Sequence, residues 1–260
     1  MTQYHYKISN AIGDSSPDPF SESSTQLFPL GTKLEYGDRT FRYAEVAGTA
    51  ITAGKLVQTS ATITDTDTAE TPTTLVNHRD IAVQAAASAG ATTVSVTLGA
   101  TAVVANDYSE GYLHINDVAG QGQLRRIKSH PAADSGATLE LTLYDKITTA
   151  LTTSSKADLI YSNYKNIIVA PGSTAETGNI VGVTVIDMTA AYYGWIQTSG
   201  PCSVLTSGTL VLGQAAVRSD TTAGAIEADD TGSVAQNTQI GQVLVVNGDG
   251  DNSVINLNIE

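Results

Sequence analysis

The sequence predicts an all-β protein, made of short-stranded barrel or sandwich domains with an extended N-terminal arm and at most one or two short helices. Only 15% of its 260 residues are charged, and much of the remainder is Thr, Ser, Ala and Gly, a composition with little tendency to form amphipathic helices. Residues 93–98 and 138–143 alternate apolar with polar side chains. This period of two places each apolar set on one face of a sheet.

Further strands are predicted along the chain. Segments 112–116 and 123–128 flank a glycine-bearing stretch that is typical of a hairpin connection. One short helix is expected over 145–158. From residue 180 onward the strand pattern restarts, and turn residues separate the strands. These later strands are 180–187, 192–198, 209–213, 242–246 and 253–259.

Three regions are expected. Residues 1–40 form an extended arm, residues 41–80 together with 171–260 form a discontinuous β domain, and residues 81–170 form a β domain inserted between its two parts. The discontinuity depends on a faint similarity between GTAITAGKLV and GTLVLGQAAV. Chance similarity in a sequence of low complexity is an equal alternative.

The N-terminal arm contains three prolines and shows no sustained periodicity. A loose terminus is one interpretation. Several apolar side chains nevertheless exceed what a solvated tail requires, and we expect them to contact a neighbouring subunit. These candidate contacts are Phe20, Leu27, Phe28, Leu30 and Leu34.

The net charge of −13 argues against nucleic acid and anionic membranes as partners. The opening residues MTQYHYKISN lack the features of a signal peptide, so synthesis in the cytoplasm is expected. The single cysteine, Cys202, excludes an intrachain disulfide and is interpreted as a small packing residue.

Catalytic chemistry has little support in this sequence, and we expect neither enzymatic activity nor a cofactor or metal. The four histidines, His5, His78, His114 and His130, are all expected at the surface. No common nucleophile, zinc-protease or phosphate-binding motif occurs.

Residues 247–252 have the spacing of the start of a calcium loop, with Asn247, Asp249 and Asp251 at alternate positions. A hairpin turn explains the segment more simply. Calcium binding stays an open alternative.

Tyr192, Tyr193 and Trp195 form the one dense aromatic cluster. They are candidate interface aromatics, with Trp195 in the core and a tyrosine at an interface, and the alternative is a sugar-stacking platform. The adjacent carboxylates Asp229 and Asp230 would suit glycoside hydrolysis only beside such an aromatic cleft.

Three segments have a pattern known from other proteins: FPLGTKLEYGDRTFRYAEVAGTAITAGKLVQT (28–59), AGATTVSVTLGATAVVANDYSEGYLHINDVAGQGQLRRIKSH (89–130) and YYGWIQTSGPCSVLTSG (192–208). These segments resemble virion structural proteins of tailed bacteriophages, in particular capsid decoration (cement) proteins. They cover a little over a third of the chain.

The resemblance implies a β-rich protein that assembles as a homo-oligomer, expected to be a trimer. It further implies binding to the major capsid protein on the outer surface of the head, where the protein stabilises the shell. It transfers no catalytic residue. The alternative function is a head or tail fibre protein that recognises host surface glycans.

Overall fold

The protein is all-β, as the sequence predicts. The computed structural model describes residues 17–60, 78–172, 178–229 and 239–260, together with the backbone of 7–10. Within these ranges there is no helix, and therefore none that is long and apolar enough to cross a membrane.

Eighteen strands run through the described residues. In chain order they are β1 (Lys7–Asn10), β2 (Glu22–Ser23), β3 (Lys33–Tyr36), β4 (Arg39–Glu45), β5 (Leu56–Gln58), β6 (Ile81–Ala82), β7 (Thr93–Thr97), β8 (Tyr112–Asp117), β9 (Leu124–Ser129), β10 (Thr138–Leu143), β11 (Lys156–Ile160), β12 (Ile168–Val169), β13 (Ile180–Thr184), β14 (Tyr193–Leu205), β15 (Ala215–Arg218), β16 (Ile226–Ala228), β17 (Gln239–Val245) and β18 (Asn252–Asn258).

The chain divides into two compact units. Unit 1 comprises Met1–Ala61 and Asn163–Glu260, and unit 2 comprises Thr62–Ser162. The insert was expected over 81–170, so the structural bounds of unit 2 lie earlier at both ends.

Unit 1 is built on a sheet with the strand order β1-β3-β4-β14-β18-β17-β15-β16. Its central strand, β14, is 13 residues long and pairs with β4 on one edge and with β18 on the other. Strand β3 belongs to this sheet because Lys33–Tyr36 pairs with β4. The expected arm over 1–40 is therefore wrong in its C-terminal part, where the chain is already a sheet strand.

Unit 2 is a six-stranded sheet with the order β6-β11-β8-β9-β10-β7. A bridge between Val83 and Val96 brings its first and last strands together, so the barrel nearly closes. The alternating apolar residues predicted on β7 and β10 fill its core, with Val96 and Leu139 wholly buried and directly paired.

The helix expected over 145–158 is wrong. Ile147 and Leu151 have helical spacing, and both are buried in the core of unit 2. Their backbone N–H groups instead donate to the carbonyl oxygens of Ala91 and Ala87, at 2.9 and 2.8 Å. Tertiary pairing with a neighbouring segment replaces the hydrogen bonds within the segment that a helix would need.

Candidate interaction surface

The N-terminal segment of the described chain is attached to the central sheet of unit 1. Strand β2 pairs with the start of β14, where Ser23 lies opposite Tyr193. Both oxygens of the Glu22 carboxylate accept hydrogen bonds from Thr189, one from its backbone N–H and one from its hydroxyl, each at 2.7 Å. Strand pairing and hydrogen bonds within unit 1 therefore fix the position of the segment that carries the predicted contact residues Phe20, Leu27 and Phe28.

An aromatic cluster joins this segment to the sheet. The Phe28 ring lies 5.3 Å from the Tyr43 ring and 5.4 Å from the Trp195 ring, measured between centroids. Tyr43 and Trp195 are themselves 5.0 Å apart in an edge-on arrangement. The sequence-predicted arm residues and the sequence-predicted aromatics thus meet in one place.

Burial in this cluster corrects part of the predicted contact set. Leu30 and Leu34 are buried among the side chains of their own unit, and Trp195 is only 2% exposed. None of these three side chains has the exposed surface that a subunit contact requires. For the same reason Trp195 is not available as a platform for a sugar ring, because stacking needs an open ring face.

Other members of the predicted set retain accessible surface. Phe20 is 42% exposed and Leu27 is 63% exposed. The Arg39 guanidinium lies 5.3 Å from the centre of the Phe20 ring, a cation–π geometry that fixes the ring while one side stays open. Phe20 and Leu27 are therefore accessible, and their role as contacts for a partner stays a prediction.

Two tyrosines of the cluster use their hydroxyl groups within the unit. The Leu27 N–H donates to the Tyr43 hydroxyl oxygen at 3.2 Å, and burial raises the pKa of Tyr43. The Tyr193 hydroxyl donates to a Glu45 carboxylate oxygen at 3.1 Å. Tyr192, half-buried, follows a turn closed by its own N–H and the Thr189 carbonyl.

A small cavity of about 160 Å³ lies between the N-terminal segment and the sheet. Leu27, Phe28, Tyr43, Tyr193 and Trp195 are among the residues that line it. Its volume is smaller than the roughly 300–1,000 Å³ typical of pockets that enclose a drug-sized ligand.

An exposed apolar patch on unit 1 was not predicted from the sequence. We call it the β17 patch; it consists of Val211, Leu212, Leu244, Val245 and Val246, each at least 40% exposed. A turn closed by the Gln214 N–H and the Val211 carbonyl places the first two residues beside β17, since the Gly213 N–H donates to the Val243 carbonyl at 2.9 Å.

A β-bulge explains why three consecutive residues of this patch face solvent. Val243 pairs with Ile255, but the next pair is Val245 with Val254, so Leu244 is an extra residue on β17. An extra residue breaks the strict alternation of strand faces. An uninterrupted strand would have turned one of these side chains towards the core.

The expectation that all the histidines lie on the surface is wrong for two of them. His78 and His130 are each 4% exposed, inside unit 2. His114 does have an accessible side chain, and its Nδ1 lies 2.8 Å from Asp158 Oδ2. His5 lies outside the described residues.

The remaining candidates for site chemistry have structural roles. Within residues 247–252 the Asp249 carboxylate accepts the Gly208 N–H at 2.7 Å, and the Asn247 amide donates to the Asn252 carbonyl at 2.6 Å. No metal-binding group of His, Cys, Asp or Glu is found in the described ranges. Of the carboxylate pair, Asp230 lies outside those ranges.

Cys202 lies on β14 and is buried in the core of unit 1, as a packing residue would be. Burial raises the pKa of its thiol to about 12, and the thiolate is the reactive form. We predict that an aromatic disulfide reagent at pH about 8 labels the folded protein roughly 100-fold more slowly than the urea-unfolded protein.

The matched control moves the thiol by one residue. In the double variant Cys202→Ser, Ser203→Cys, the new thiol occupies an exposed position of the same strand and should react rapidly without urea. Fast stoichiometric labelling of the unmodified folded chain would contradict the prediction.

No family model matches this chain, and no curated protein or solved structure matches it.

Proposed function

We propose that this chain is a structural protein of a phage particle, a decoration protein that binds the outer surface of the head and stabilises the shell. In this role it contacts the major capsid protein and assembles with further copies of itself, as a trimer. The protein performs no catalysis in this role.

The resemblance of three segments to capsid decoration proteins is the first support for this proposal. In the structure these segments include β3–β5, β7–β9 and all of β14, so they contribute to both units. The all-β architecture is the fold class that this resemblance implies.

The observation that carries the proposal is the exposed apolar surface of unit 1. The β17 patch places five aliphatic side chains on two neighbouring backbone segments, and Leu212 is 68% exposed. The chain as a whole has a net charge of −13, but this patch is apolar. Binding to a partner would remove its apolar surface from water, which is favourable. Phe20 and Leu27 add two further apolar anchors.

Repetition explains how contacts of this modest size could stabilise a shell. Each copy buries little apolar area, but symmetric copies bind adjacent capsid subunits simultaneously. Stabilisation then grows with the number of sites occupied on the shell.

The test is binding to isolated heads that lack the protein. We predict that the double variant Leu212→Ser, Val245→Ser weakens co-sedimentation with heads by about tenfold or more, because truncated apolar anchors cost on the order of 2 kcal/mol. Electron microscopy of saturated heads would show whether the density sits on the shell as trimers.

The control is Val104→Ser, which changes a 67% exposed valine of unit 2 outside the patch. This variant should bind heads like the unmodified chain. Unchanged binding of the double variant would remove the β17 patch from the interface, and absence of binding by the unmodified chain would overturn the proposed function.

A further inference from the structure

A polar cleft of about 280 Å³ lies on unit 1, away from the aromatic cluster. It is formed over three adjacent strands, β14, β18 and β17. Across these strands Ser199 lies opposite Asn258, and Asn256 lies opposite Gln242. Opposed residues project from the same face of a sheet, so these four side chains stand together.

The cleft is lined almost entirely by uncharged hydrogen-bonding side chains. The polar lining residues are Asp38, Ser199, Gln239, Gln242, Asn256 and Asn258. No lysine or arginine lines it, and Asp38 is the one charged residue among the lining residues. In a chain with 26 acidic residues, this is a nearly neutral surface.

The hydrogen-bonding groups of these side chains are not used by the fold. Within the described part of the chain, none of the six makes a side-chain hydrogen bond to another residue. Amides elsewhere are used structurally: the Gln123 side chain bonds to Thr149 at both ends of its amide, and the Asn247 amide closes its own turn. The cleft therefore concentrates several amide donors and acceptors that only water or a ligand can satisfy.

A close backbone approach builds one wall of the cleft. Gly200 has φ +86°, and a Cβ atom there would lie 2.3 Å from the Asp38 carbonyl oxygen. Only glycine allows the β3–β4 turn to come so near to β14. This contact holds Asp38 beside the sheet face that carries Asn256 and Asn258.

From this arrangement we infer that the cleft binds a neutral carbohydrate, one or two sugar rings in size. Each sugar hydroxyl both donates and accepts hydrogen bonds, as each side-chain amide does, and a carboxylate accepts from two adjacent hydroxyls. An anion would meet Asp38 without a compensating cation. The inference does not rest on the proposed role on the phage head, because the cleft and the β17 patch have no residue in common.

The experiment is a titration of the full chain, labelled with ¹⁵N, with neutral sugars. The probes are glucose, galactose, mannose, N-acetylglucosamine and their β- and α-linked disaccharides, with glucuronic acid as the anionic comparison. We expect at least one neutral sugar to shift the side-chain amide signals of Asn256 and Gln242. The double variant Asn256→Ala, Gln242→Ala should weaken that binding by about tenfold or more, since two hydrogen bonds of about 1 kcal/mol each are lost.

The matched control is Gln214→Ala, which removes an exposed amide of the same unit outside the cleft. It should bind the sugar like the unmodified chain, and both variants should retain the backbone spectrum of the folded protein. Absence of cleft shifts with every neutral sugar, binding restricted to glucuronic acid, or equal loss in the control would each overturn the inference. Binding to phage heads is measured separately, so either result stands without the other.

Discussion

Replacing Trp195 by alanine should lower the free energy of unfolding of unit 1 by about 3–5 kcal/mol, the usual cost of removing a buried aromatic side chain. Trp195 is 2% exposed and packs against Phe28 and Tyr43. Its loss would leave a cavity at the point where the N-terminal segment joins the sheet. Because Phe28 then keeps only Tyr43 of its two aromatic neighbours in this cluster, we expect residues 17–30 to become more accessible to proteases.

Urea unfolding followed by circular dichroism measures this effect, since the chain has one tryptophan and the variant loses that fluorescence signal. Hydrogen exchange of β14 amides assigns the change to unit 1. Leu27→Ala is the control: it changes an exposed neighbour in the same segment and should cost no more than about 0.5 kcal/mol. An equal loss in both variants, or a loss below about 1 kcal/mol for Trp195→Ala, would contradict the packing described above.

Unit 2 should lose stability as the pH falls below about 6.5, because it buries a histidine in its neutral form. His78 Nε2 lies 3.2 Å from the Thr101 carbonyl oxygen, which can only accept a hydrogen bond. The proton is therefore on Nε2, and Nδ1 accepts the Tyr108 hydroxyl at 2.6 Å. Burial lowers the pKa of His78 below its ordinary value.

The groups packed around His78 bury it, and this burial disfavours the protonated, positively charged form. Tyr108 also donates its backbone N–H to His130 Nε2 at 2.9 Å, while His130 Nδ1 bonds to the Pro131 carbonyl oxygen. The Tyr161 hydroxyl donates to Asp107 at 2.6 Å, and burial raises the pKa of both tyrosines. Asp107 is the acidic residue whose charge favours a protonated His78, and burial outweighs it.

The direction in which stability changes with pH follows from the number of protons bound by the folded and unfolded states. With a lowered pKa in the folded state, the unfolded chain binds more protons below about pH 6.5, so the free energy of unfolding falls as the pH falls towards the folded-state pKa. One histidine contributes at most about 1.4 kcal/mol per pH unit. Above about pH 6.5 both states are neutral at this site and the contribution is constant.

Urea unfolding of unit 2 at intervals between about pH 5.5 and 7.5 measures how its free energy of unfolding changes with pH. Most carboxylates stay ionised in this range, so they contribute little to the change. His78→Asn should flatten this pH dependence, whereas His114→Asn changes an accessible histidine of the same unit and serves as the control. A flat profile for the unmodified chain, or a slope that His78→Asn leaves intact, would show that His78 does not carry the pH dependence.

The period-two patterns were sufficient to predict the all-β fold and many of its strands. Alternation at 93–98 and 138–143 identified β7 and β10 together with the residues that fill the barrel core, because each strand has one buried face and one polar face. Local patterns were also sufficient to single out Phe20, Leu27 and Trp195 as unusual apolar residues.

Tertiary structure decided which of these residues are accessible. Leu30, Leu34 and Trp195 are as apolar as Leu27, but only Leu27 lies outside the packed cluster. The same holds for histidines: His78 and His130 lie in loop-like sequence, and their burial depends on Tyr108 from another segment.

The sequence by itself determined the strand periodicity, the scarcity of charge and the absence of common catalytic motifs, since these are local properties of the chain. The β17 patch and the polar cleft are formed only by the tertiary structure, and neither could be predicted from the sequence. The patch depends on a bulge in the pairing of β17 with β18, and the cleft depends also on the pairing of β18 with β14, a strand from a distant part of the chain. Side chains brought together by strand pairing over such distances leave no periodic signal in the sequence, because register is set by the whole sheet.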